Sequence, residues 1–177
     1  MQNRSNDKTQ SELDRLTALM TIATKVVEIQ LRQCEYALIT LTMTAPTKAT
    51  RVVTGDASCD PEALATIFRL SCITEAAQVG VVTYQVRGEH VDGIVVSGEA
   101  MGGIVCDWFH PILRDARGRF TGFGPKQELP SASLESLFSR FMPVSAPSPQ
   151  EREDAARGLA AMTTPITASS PHKEQGS

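Results

Sequence analysis

The sequence predicts an α+β fold, a mostly antiparallel sheet of about four to five strands with helices packed on one face. Three observations predict it. An apolar stripe at helical spacing opens the chain. A threonine-alternating segment follows. Valine-rich segments joined by short turns fill the middle.

The polar residues 1–10 are expected to be disordered. Ser11 is a fitting N-cap, because its hydroxyl can accept a free backbone N–H. Leu13, Leu16, Met20, Ala23 and Val27 then recur with helical period, predicting a helix over about 12–33. Leu19, Ile22, Val26 and Leu31 widen the stripe. Leu19 and Val26 would leave a second apolar face, which a homodimer would cover.

Ile39, Leu41 and Met43 alternate with Thr40, Thr42 and Thr44, the pattern of a half-buried strand. A short strand is expected at Thr50–Thr54, then a turn. Asp60-Pro61-Glu62 opens a second helix over 61–78: Asp60 caps, Pro61 suits the first helical position, and Glu62 complements the dipole.

Val79–Arg87, Val91–Ser97 and Ile104–Leu113 read as strands separated by turns at Gly88–His90 and Gly98–Gly103. Pro111 marks an interruption or an end, since proline cannot donate to a central ladder. A last short strand is expected at Arg119–Phe123. Short turns between consecutive strands imply an antiparallel meander.

Leu134, Leu137, Phe138 and Phe141 suggest a helix over 133–141. The domain is expected to span 11–142, followed by a linker and short helix over 143–162. Ser148-Pro149-Gln150-Glu151 is a capping box for that helix. Residues 163–177 are expected to be a disordered tail.

At 177 residues and net charge −3, the chain carries no global nucleic-acid footprint. No apolar run approaches the roughly 20 residues of a spanning helix. With no secretory signal in view, a cytoplasmic location is expected. The four cysteines, Cys34, Cys59, Cys72 and Cys106, form no C-x-x-C pair and read as free thiols.

The sharpest local feature is the segment 114–126. Arg114, Arg117, Arg119 and Lys126 stand among Asp115, Phe120 and Phe123. Such cations can pair with phosphates and such rings can stack on bases. The aromatic-rich RNA-recognition signature is absent, and so is a phosphate-binding Gly-Lys-Ser/Thr loop. A solvated hairpin with Phe120 and Phe123 on the core is the plainer reading. A protein-partner contact comes next and nucleic acid after it.

Cys106 and His110 are the residue types of a nucleophile and its base. Four strand positions put them about 13 Å apart, too far for direct proton transfer. Cys106, His110, His90 and Asp92 match no zinc spacing, and neither metal nor cofactor is expected. Asp56, Ser58, Asp60 and Glu62 alternate like calcium ligands. Pro61 replaces the required glycine and Ile67 the bidentate glutamate, so the segment reads as a turn and helix cap. Glu99, among Gly98, Gly102 and Gly103, is the acidic residue placed to face a ligand, because glycines permit close approach.

The leading expectation is a non-enzymatic binding protein acting through a protein partner. An inhibitor or accessory factor of a mobile genetic element fits that profile. Two alternatives stand beside it: a nucleic-acid binder using segment 114–126, and an enzyme using Glu99, His90, Cys106 and His110.

Overall fold

The computed structural model describes residues 3–45, 50–55, 60–130 and 141–163. Its elements run α1 (Asn3–Gln33), β1 (Ile39–Thr44), β2 (Thr50–Gly55), α2 (Pro61–Thr74), β3 (Val79–Arg87), β4 (Asp92–Ala100), β5 (Val105–Arg114), β6 (Phe120–Phe123), β7 (Gln127–Leu129) and α3 (Pro149–Thr163). The fold is α+β. Among the described residues the sheet has seven strands, more than expected, in the order β2-β1-β3-β4-β5-β6, with β7 also paired to β5. Every pairing is antiparallel.

The helices cover both faces of the sheet, not one. Leu16, Met20, Ala23 and Val27 of α1 pack on Val81, Ile94, Val96 and Trp108. On the opposite face, Leu64, Phe68 and Cys72 of α2 pack on Leu41, Met43, Val82 and Val95, joined by Phe141 and Met142. Adjacent residues of β3 and β4 therefore face different cores. This explains their unbroken apolar runs. Two glycines let the layers close. A Cβ at Gly98 would lie 2.9 Å from Leu16 Cδ1, and one at Gly80 would lie 2.7 Å from the Phe141 ring.

Two of the three threonines of β1 do not face solvent. Thr40 and Thr42 are buried with Thr83 of β3 on the α1 side. Thr40 Oγ1 donates to the Leu38 carbonyl at 3.2 Å, and Gln30 Nε2 stands 3.4 Å from it.

Helix α1 starts well before Ser11, which lies inside it. Gln10 donates to Asp14 Oδ1 at 2.9 Å, one turn along, so the polar first turns continue the helix. Helix α2 begins as expected, with Asp60 Oδ1 accepting from Glu62 N at 3.4 Å. It ends four residues early, at Thr74 instead of 78, because Ala76 turns left-handed at φ 49° and Ala77 N bonds back to the Cys72 carbonyl at 2.9 Å. Strand β4 continues through Gly98 and Glu99, where a turn was expected; Glu99 pairs with Gly80 and Val105.

Strand β5 accommodates Pro111 by where its neighbours stop. On one side, β7 pairs with Asp107–Phe109 and β6 with Ile112–Arg114, leaving Pro111 in the gap. Its missing N–H is not needed there. The capping box of α3 forms: Glu151 N donates to Ser148 Oγ at 3.3 Å, and Ser148 N to Glu151 Oε2 at 2.7 Å. Most of the expected turn at Gly55–Asp60, nearly all of the helix at 133–141 and the tail after 163 lie outside the described residues.

Candidate functional site

The segment 114–126 forms the β5–β6 hairpin and the run into β7. Its turn is built by Asp115. The Asp115 carbonyl accepts from Gly118 N at 2.9 Å, and Gly118 takes φ 77°, a conformation glycine adopts without strain. Asp115 Oδ1 accepts from the backbone N–H groups of Arg117 and Arg119, each at 2.9 Å. Asp115 Oδ2 accepts from Arg119 Nε at 2.8 Å. The Arg119 backbone N–H, then its guanidinium, hold the Asp115 carboxyl below its usual range.

Arg114 is not a free cation. Its Nε donates to Asp92 Oδ2 at 2.7 Å, Nη1 to the Gly118 carbonyl at 3.0 Å, and Nη2 to the Glu35 carbonyl at 3.2 Å. One planar fork thus ties together the start of β4, the hairpin turn and the segment after α1.

Between the end of α1 and this hairpin lies a groove of about 500 Å³, lined by Leu31, Arg32, Cys34, Glu35, Arg117 and Phe120 among others. The lining holds four arginines, Arg32, Arg114, Arg117 and Arg119, against two carboxylates, Glu35 and Asp115. Asp92 and Glu28, outside the lining, pair with Arg114 and Arg32, and Asp115 pairs with Arg119, so Arg117 is left as the groove arginine without a carboxylate partner among the described residues. The Arg117 side chain is exposed and has no partner among the described residues. Arg32 pairs with Glu28 at 2.8 Å and lies 5.7 Å over the Phe120 ring.

The aromatic rings are already engaged. Phe120 meets Phe123 edge-on at 5.1 Å, and Phe123 lies 5.5 Å from His110. Both phenylalanines pack against the α1 core. Lys126 sits 4.0 Å over Trp108 and 3.3 Å from Glu128. Phe123 and Lys126 are therefore outside the groove that Arg114, Arg117, Arg119 and Phe120 line. Arg32, Cys34 and Glu35 belong to it and were not expected. Nothing in the local sequence links them to a hairpin some 79 positions away.

Glu99 faces the α2 side, buried. Its Oε2 accepts from Met142 N at 3.1 Å, and it borders a small cavity of about 150 Å³ with Met101, Gly102, Val105 and Met142. Next to it, Ser97 Oγ donates to Asp107 Oδ1 at 2.6 Å, both side chains buried. Burial, and then the Asp107 charge, raise the Tyr84 hydroxyl. Both side chains of the Ser97–Asp107 pair are buried, so the bond ties β4 to β5 inside the sheet.

The proposed reactive groups do not converge. Cys106 packs toward the α1 core and His110 against Phe123 and Trp108. Glu99 lies on the opposite face, and His90 is exposed in the β3–β4 turn. Burial, above all, raises the Cys106 thiol. Cys72 is pushed up to about 12 by burial and then by Glu99. Among the described residues, no group of three or more His, Cys, Asp or Glu side chains could hold a metal ion. No described helix is long and apolar enough to cross a membrane. No protein-family model, curated protein or solved structure matches the chain.

Proposed function

We propose that this chain is a non-enzymatic binding protein whose contact with a protein partner is the groove between α1 and the β5–β6 hairpin. One observation carries the reading: an exposed Arg117, without a partner among the described residues, projects from a turn held by Asp115 and Arg114. The turn backbone is already ordered, so a partner meets Arg117 without having to order the loop that carries it. The chemistry it fits is an acidic segment of a partner, whose carboxylates accept two parallel hydrogen bonds from guanidinium.

The engaged rings favour protein over nucleic acid. Phe120 and Phe123 would have to leave each other, the core and Arg32 before stacking on a base.

Affinity capture with the full chain, with and without nuclease, tests the reading. A protein held by the wild type, retained after nuclease and lost with Arg117→Glu supports it. A partner that Arg117→Glu still holds overturns it. A partner lost on nuclease treatment transfers the groove to nucleic acid.

A further inference from the structure

The two ends of the sheet are guarded differently. At one end, β6 has four residues beside a register shift at Leu113/Arg114, and β7 has three. Short, irregular edges resist pairing with other chains. At the other end, β2 presents six residues, Thr50–Gly55, in unbroken register with β1. Its outer edge has no partner among the described residues. It carries no proline, and its one charge, Arg51, is drawn to Glu75 at 2.9 Å. Four of its six residues are β-branched, so nothing in the strand discourages pairing.

We propose that β2 is the interface of a homodimer, paired antiparallel with β2 of a second copy about a two-fold axis at Val52. The side-chain rows support this occupant. On the α1 face, β2 reads Thr50, Val52, Thr54, the same in both directions. A two-fold interface needs such a self-complementary row. With Val52 on the axis, Val52 meets its own copy and Thr50 meets Thr54. Both are favourable cross-strand pairs. On the other face Arg51 lies opposite Val53 and never opposite itself, so no like charges meet. Val52, 47 % exposed in the single chain, becomes covered. Ile22 of α1, also 47 % exposed, overhangs the Thr50 end of this edge in a groove of about 540 Å³. This pairing alone is smaller than the roughly 1,200–2,000 Å² of a stable interface, so the dimer is expected to dissociate on dilution.

Sedimentation of the full chain across about 1–200 µM reads the association directly. The expected result is a mass rising from 19.1 kDa toward twice that value, and a monomer throughout for Val52→Lys/Thr54→Lys with an unchanged circular dichroism spectrum. A wild type that stays monomeric at the highest concentration overturns the proposal, as does a doubly substituted chain that still dimerises. The register has its own test should that variant misfold. In a Cys34→Ser/Cys59→Ser background, Val52→Cys should form an intermolecular disulfide on mild oxidation. Thr54→Cys, about 13 Å from its own copy in this register, should not. Equal cross-linking at the two positions overturns it.

Discussion

Arg114 Nε lies 2.7 Å from Asp92 Oδ2, and the same guanidinium reaches the carbonyls of Glu35 and Gly118. Both side chains are largely shielded, which distinguishes this pair from the exposed ones elsewhere. Arg114→Ala should therefore cost about 1.5–3 kcal/mol of folding stability, the range for hydrogen bonds to a charged group. Urea unfolding measures it. A double-mutant cycle with Asp92→Ala should show coupling of about 1 kcal/mol. By contrast, Arg117→Ala should leave stability within about 0.5 kcal/mol of wild type.

Ala76 holds φ 49° at the end of α2. A Cβ is disfavoured in that region and a glycine is not. Ala76→Gly should stabilise the protein by about 1 kcal/mol, read as a raised urea midpoint with unchanged slope. An unchanged or lowered midpoint would show that the left-handed turn carries no strain.

Asp107 and Ser97 form a buried pair at 2.6 Å. Ser97→Ala removes the hydroxyl that solvates a buried carboxylate and should cost about 3 kcal/mol. Asp107→Ala leaves only a hydroxyl unpaired and should cost less. The double substitution should cost less than the sum of the two. Additive losses in equilibrium unfolding would mean the bond contributes nothing.

Burial, and secondarily Lys126, push the His110 pKa below its ordinary 6.5. Its buried Nε2 has no hydrogen-bond partner among the described residues. The folded state then binds a proton less readily than the unfolded state. This contribution to stability is present above the unfolded pKa of about 6.5 and is lost as pH falls toward the lower folded value. Wild-type stability should fall as pH drops below about 6.5, and His110→Phe should flatten that fall. Glu28, Asp115 and Glu151 carry lowered carboxylate pKa values and act at lower pH, so they do not obscure the window. An unchanged pH profile for His110→Phe would assign the dependence elsewhere.

Signals confined to a few residues were legible in the sequence. The cap at Asp60 and the box at Ser148 and Glu151 need only partners within three positions, and both form. The runs at Gly80–Tyr84 and Gly93–Val96 held further information. Their lack of alternation marks strands covered on both faces, a distinction short apolar runs make weakly. Strand β7 gave no signal, since Gln127 and Glu128 are exposed and only three residues pair. The hairpin was recognisable by composition. The carbonyl of Glu35 that anchors Arg114, and the Arg32 that covers Phe120, come from a distant helix end and required the fold.

The claim that the α1–hairpin groove binds a protein is tested most directly by placing a photo-cross-linking residue at Gln33, an exposed position on its rim. A matched residue at the exposed Glu62 on α2 serves as control. A specific protein adduct is expected from position 33, absent from position 62 and abolished by Arg117→Glu. Equal adducts from both positions, or an adduct from position 62 alone, would contradict it.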